Sequence, residues 1–353
     1  MNPVQVPRKP LLLMGAISLL AGLAAGLGRL GFALPLDIGP HLHGPLMIGG
    51  FFGTVIGLER AVALGRPWAF AAPFSTGGGG LLMLAGQETP GAVMLTLGSF
   101  VFLAGAVSVT RRQREPFTLL MALAALFWGF GNILWATGTA VSDVVPLWAA
   151  FLVLTIAAER LELSRFLPPA RHRLPTLAVP VALIGAGAGL AGIGDGPAWP
   201  LFGAGLVVLV AWSLVNDVIR RTIKMAGLTR YVAVCLLSGY LWLGVAGVTM
   251  PFLADGLASP AYDAALHALF VGFVFSMVFG HAPVILPAVL GVRLPFKPVF
   301  YLPLALLHAS LIIRLAGDAL DMAWLRADGG LFNAVAIVVF IVTMLVTVLT
   351  NRD

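Results

Sequence analysis

The fold class predicted for this chain is all-α: a polytopic membrane protein with twelve transmembrane helices. Three observations predict it. Of 353 residues, 59% are hydrophobic and 10% are charged, and mean hydropathy is +0.99, a balance foreign to soluble globular domains. Proline, glycine and charge punctuate the chain into apolar runs at or near the ~20 residues that ~30 Å of hydrocarbon requires. Finally, Lys and Arg recur in the connections with a regular alternation.

Taken in order, the spans are read over 11–34, 42–64, 68–86, 91–109, 117–138, 144–158, 175–193, 198–216, 230–253, 262–290, 298–316 and 331–350. The first follows MNPVQVPRKP; without a small-residue cleavage site, this leader reads as the start of a span rather than a signal peptide. Span 2 opens with GPHLHGPLM and carries Gly49, Gly50, Gly53 and Gly57, small residues that let helices approach closely or leave room for something flat. Span 3 holds Ser75-Thr76-Gly77-Gly78-Gly79-Gly80. No Lys follows those glycines and the run is intramembrane, so it predicts close helix packing rather than a phosphate loop. Spans 4 to 9 are bounded by Arg-rich or Pro/Gly-rich connections, and Glu59-Arg60 and Glu159-Arg160 read as interfacial ion pairs. Asn132 is a polar residue inside a span, and Asn216-Asp217 reads as a helix end before a basic loop.

Charge fixes the expected sidedness. With a cytoplasmic N-terminus, eighteen of the 21 Lys and Arg residues fall on the inner side; Arg29, Arg314 and Arg326 fall on the other. This positive-inside bias stays in phase through all twelve spans, as a missed helix would not allow. It predicts cytoplasmic N- and C-termini in a bacterial inner membrane. Sidedness also accounts for the net charge of +6, so membrane lipid and not nucleic acid is the expected partner. The single cysteine, Cys235, lies in an apolar run and reads as an inert buried thiol. One integral membrane domain over 1–353 is expected, since the loops are too short for another.

A faint repeat runs through the chain. Ile56-Gly57-Leu58-Glu59-Arg60 ends span 2 and Ile156-Ala157-Ala158-Glu159-Arg160 ends span 6, while LLMGAISLLAG and LLMALAALFWG open spans 1 and 5. Four helices per unit would give three units, with spans 2, 6 and 10 equivalent.

The functional residues are the histidines. His172 sits in the basic loop Arg171-His172-Arg173 and reads as solvated; His41, His43, His267, His281 and His308 fall in or at the ends of spans, where ionisable residues are functional candidates. His267 and His281 share span 10, and a helix would set them about 40° apart on one face and roughly 21 Å apart along the axis. The five sort into an outer layer of His41, His43 and His267 and a middle layer of His281 and His308. His41 and His43 cannot both face one partner on a helix, and His43, one turn from Met47, is favoured.

Imidazoles on facing helices suit haem iron or a transition metal. Zinc would call for Cys or carboxylate as well, and the outer layer offers only Asp37 and Asp263, near the aqueous edge. One or two b-type haems are therefore expected: His43 or His41 with His267 in the outer layer, and His281 with His308 as a second metal site. Arg29 and Arg314, which break the charge rule near span ends, suit a propionate clamp; the competing reading is that both snorkel to the interface.

Twelve spans, a histidine near the outer end of span 2, a histidine on span 10 and the four-helix period resemble subunit I of haem-copper oxidases. That resemblance implies a low-spin haem between spans 2 and 10, on His43 or His41 and His267. Spans 6 and 7 carry no histidine, so the copper ligands of that family are missing and its oxidase reaction is not implied. His41-Leu42-His43 opening an early span, and Leu266-His267 with Gly272 in a late one, resemble the NnrS family. The resemblance implies haem, copper and a role in nitric oxide metabolism. It covers the whole chain in span number and these short motifs in residues; GHAPVILP at Gly280 to Pro287 departs from it. The expected function is electron transfer or nitric oxide handling, with oxidoreductase activity open and the gas or redox partner unidentified. The alternative is a twelve-span transporter or channel using the histidines for proton or metal passage.

Overall fold

A computed structural model of the protein describes residues 7–35, 38–168, 170–193, 198–255 and 259–351. Among them no strand forms, and eleven helices are long and apolar enough to cross a bilayer. The protein is thus a polytopic α-helical membrane protein. In chain order the elements are α1 (Arg8–Arg29), α2 (Pro45–Leu64), α3 (Ala71–Leu84), α4 (Glu88–Arg112), α5 (Pro116–Ala136) and α6 (Val141–Ser164). They continue with α7 (Arg173–Gly192), α8 (Ala198–Asn216), α9 (Gly227–Thr249), α10 (Pro260–Leu290), α11 (Tyr301–Ala319) and α12 (Ala323–Leu349).

The twelve runs read from hydropathy are all helical, but α3 is short. Its 14 residues span about 21 Å at 1.5 Å each, less than the hydrocarbon thickness, and a 3-10 turn at Pro67–Phe70 precedes it. Ends differ from expectation where backbone chemistry intervenes. The first span stops at Arg29, with Gly31 in the left-handed region at φ 88°, a conformation glycine adopts without a Cβ penalty. The tenth begins at Pro260 because Ser259 caps it, its Oγ accepting from the Tyr262 amide at 3.3 Å with proline at the first helical position. The last begins at Ala323, earlier than position 331.

Contacts divide the chain into two compact units, Met1–Thr155 and Ile156–Asp353. The boundary falls inside α6. In the first unit the glycines of α3 pack as expected of small residues. A β-carbon on Gly77 would stand 2.9 Å from Met14 Cβ, one on Gly79 would stand 2.8 Å from the Gly91 carbonyl, and one on Gly80 would collide with Ser18 Oγ. Trp128 and Phe151 stack at 4.6 Å and 7°, and Trp148 Nε1 donates to Asn132 Oδ1 at 2.9 Å, so the intramembrane amide is engaged by protein. In the second unit Phe279 and Phe340 stack at 3.9 Å.

Two segments depart from α geometry. Pro45–Phe52 in α2 and Ala268–Phe275 in α10 are π-wound for eight residues each, a rare geometry found mostly as single turns at functional sites. Shifting the first by 223 residues places Pro45 on Ala268 and Phe52 on Phe275. In that register Leu46, Gly49, Phe52, Val55 and Gly57 meet Leu269, Gly272, Phe275, Val278 and Gly280. Both registered glycines are packing positions: a β-carbon on Gly49 would stand 2.6 Å from Leu95 Cδ1, and one on Gly272 would collide with Trp242. The same π-wound element therefore occurs once in each unit.

Candidate histidine sites

His43 follows the 3-10 turn Pro40–Leu42 and stands two residues before the first π segment. Its ring lies against α1: Nδ1 is 2.7 Å from the Gly22 carbonyl oxygen, and a β-carbon on Gly26 would stand 2.7 Å from Nδ1. A carbonyl can only accept, so Nδ1 carries the proton and Nε2 the lone pair. Gly26 makes the room that this ring occupies, while Gly22, one turn earlier on α1, supplies the carbonyl and leaves space for Met47. His41, two residues away, points elsewhere. Its Nε2 is 3.0 Å from Glu88 Oε1, with the two side chains 63% and 52% exposed, and the structure does not bring it together with His43.

His267 ends the first, α-helical part of α10 and immediately precedes the second π segment. Its Nδ1 is 2.8 Å from the Asp263 carbonyl and 3.3 Å from Asp263 Oδ1. Here too the proton sits on Nδ1, and Nε2 is the basic nitrogen. The two π-adjacent histidines are tautomerically alike, each oriented by a main-chain carbonyl in the manner usual for metal-ligating imidazoles.

The two remaining intramembrane histidines differ from each other. His281 Nδ1 is 2.7 Å from the Met277 carbonyl, in a helix that contains Pro283 and Pro287. His308 Nδ1 accepts from Trp242 Nε1 at 3.0 Å, with the two rings at 25°. An indole N–H can only donate, so the neutral His308 ring holds its proton on Nε2, where it is buried without a hydrogen-bond partner. That tautomer has no lone pair at Nε2 and does not fit a metal ligand, so the second metal site read over His281 and His308 lacks one of its two donors. Among the described residues no three His, Cys, Asp or Glu side chains form a group that could hold a metal ion.

The arginines separate as well. Arg29 is exposed at the end of α1, where a cation complements the helix dipole. Arg314, 7% exposed, is engaged by Asp263: Nε to Oδ2 at 2.7 Å and Nη2 to Oδ1 at 2.8 Å. The propionate clamp read for Arg314 gives way to an internal ion pair, because both coplanar donors of its fork already face a carboxylate. Beside this pair lies Asp318, 6% exposed, with Arg326 Nη1 3.6 Å from its Oδ1. Asp37, the other outer carboxylate named from the sequence, lies outside the described residues, as does Arg352.

A polar cluster that the sequence did not reveal lies at the far ends of α6 and α8. Arg160 reaches across to Asp217, Nε to Oδ2 and Nη2 to Oδ1 both at 2.7 Å, with the two side chains 4% and 0% exposed. Tyr240 Oη donates to Oδ2 at 2.5 Å and the Ile219 amide donates to Oδ1 at 3.1 Å. Every acceptor is met, and the cluster reads as a structural lock. The basic residue and the helix-end Asp were each visible in the sequence, 57 positions apart, with nothing to pair them.

Neither the curated proteins nor the solved structures include a match to this chain. The family whose pattern does match spans residues 8–349, nearly the whole sequence, and the chain therefore belongs to the family described as a domain of unknown function, DUF8744.

Proposed function

We propose that the protein is a haem-binding integral membrane protein that carries electrons or handles nitric oxide, with His43 and His267 as iron-ligating imidazoles. The observation that carries the reading is their common construction. Each stands at the mouth of a span whose following segment is π-wound over eight residues, and each commits Nδ1 to a main-chain carbonyl, which makes Nε2 the ligand nitrogen. Haem supplies four nitrogens of its own, so one or two imidazoles complete the iron, and no cluster of protein ligands is required. Bound haem would contribute one-electron chemistry and affinity for a diatomic gas; the chain orients the imidazoles and surrounds them with apolar helices. The charge bias supports a bacterial inner membrane with both termini cytoplasmic and these two histidines toward the opposite face. Copper, implied by the NnrS resemblance, has less support, since the His308 tautomer removes a donor from the middle layer.

Optical spectra of protein purified after expression with adequate haem test the proposal. A Soret band is expected in the native chain, with strong loss in His267→Ala and His43→Ala and no change in His172→Ala. An absent band in the native chain, or equal spectra in His267→Ala and His172→Ala, overturns it.

A second reading draws on the buried His308 N–H, which meets no acceptor: a transporter or channel in which that donor meets a passing solute. A native chain without a Soret band whose solute or proton flux in liposomes is lost in His308→Leu would favour it.

A further inference from the structure

We infer that Asp263, clamped by Arg314, is a positioning residue for His267 that strengthens its Nε2 as an iron ligand and lowers the reduction potential of the haem; the inference rests on the haem reading above. Asp263 lies one helical turn before His267, so the two share a face of α10. The imidazole Nδ1–H, 2.8 Å from the Asp263 carbonyl oxygen, also has Oδ1 of the same residue at 3.3 Å. A carboxylate on the first turn of a helix could rotate away into solvent. Here it cannot, because Arg314 on α11 grips both oxygens at 2.7 and 2.8 Å and is itself nearly buried. The result is a three-member chain running from guanidinium to carboxylate to imidazole, in which the last member's orientation is set from a neighbouring helix.

The chemistry follows from the charge beside the hydrogen bond. The Nδ1–H donates to the Asp263 main-chain carbonyl, and a full negative charge 3.3 Å from the same nitrogen polarises that bond further and leaves more electron density at Nε2 than the carbonyl alone would; outer partners of this kind raise the basicity of a ligating histidine. With haem bound, a more basic ligand nitrogen from His267 would favour ferric over ferrous iron and pull the potential down. The charged groups gathered here are Asp263 and His267 on α10, Arg314 and Asp318 on α11, and Arg326 on α12. Of these, Asp263 is the one whose carboxylate reaches the His267 Nδ1.

Redox titration of the purified haem protein, followed in the visible spectrum, tests the inference. Asp263→Asn, which keeps the shape and the main-chain carbonyl, is expected to raise the midpoint potential; a tenfold loss of ferric preference corresponds to about 59 mV for one electron. Haem affinity is expected to fall roughly 10- to 100-fold, the usual cost of removing an outer partner. Asp263→Glu restores the potential in part. If Asp263→Asn fails to fold because Arg314 is left uncompensated, the double variant Asp263→Asn with Arg314→Gln removes both charges and is expected to show the same rise. Asp318→Asn is the control for a general charge effect. An unchanged potential in Asp263→Asn or the double variant, or an equal rise in Asp318→Asn, overturns the inference while leaving haem binding intact; a native protein without a Soret band defeats the haem reading itself.

Discussion

At the level of single residues, burial separates polar groups that look alike in the sequence. Glu159 and Arg160 are neighbours in the chain, but adjacent helical positions do not face one another, and Arg160 instead finds Asp217 with two 2.7 Å contacts. Replacing Asp217 by Ala leaves a buried guanidinium without its counter-charge and is expected to cost about 3–5 kcal/mol of stability, read as a lowered unfolding temperature in detergent. His41 with Glu88 is the opposite case. That pair is more than half exposed on both sides, where ion pairs contribute only about 0–1 kcal/mol, so His41→Ala is expected to leave both stability and any haem spectrum unchanged. The sequence named both histidines of His-Leu-His; what distinguished them was the glycine pair of α1 standing beside one ring.

At the level of elements, the π-wound segments are the feature that ordinary periodicity misses. Both lie in apolar runs in which every residue is buried or nearly so, so hydrophobic phase carries no record of whether the turn holds 3.6 or more residues. The 223-residue register between them emerges once their boundaries are known. It supports the expected equivalence of spans 2 and 10; α6, the element holding span 6, is assigned as an unbroken α-helix. A π turn holds an extra residue, so deleting one from Pro45–Phe52 is expected to restore α winding there and to pull His43 out of its seat against Gly22 and Gly26. Loss of the His43-dependent spectral signal with retained helical circular dichroism would be the signature. Gly272→Val is a packing test of the same element. Its side chain would collide with Trp242, and overpacking of this kind costs about 1–3 kcal/mol; a thermal melt reads it directly.

At the level of the whole molecule, topology is the claim with the widest reach, and α3 decides it. If this 14-residue helix crosses the membrane, a cytoplasmic N-terminus puts the connection after α4 on the cytoplasmic side and the one after α5 on the other; if it does not, the two sides exchange. Cys235 is fully buried, so introduced thiols can be labelled against a low background. A cysteine at Gln113 is expected to react from the cytoplasmic side and one at Thr139 from the other; the reverse pattern would contradict the positive-inside assignment. The histidine candidates were legible because charge-bearing side chains in an apolar chain are rare and conspicuous. Their partners were not, since the Asp263–Arg314 and Trp242–His308 contacts join residues 51 and 66 positions apart.

Composition and the rhythm of apolar runs were sufficient by themselves to make this a bundle of membrane helices, because hydrocarbon forces every spanning segment to satisfy its backbone internally and so to be helical. They also marked the polar side chains worth attention. Helix-to-helix packing decided the rest: which nitrogen of each imidazole bears its proton, that Arg314 answers to Asp263, and that two spans unwind into π turns at the same relative place. Those outcomes depend on contacts between distant segments, and no local pattern of residues encodes a neighbour that the chain meets only after it folds.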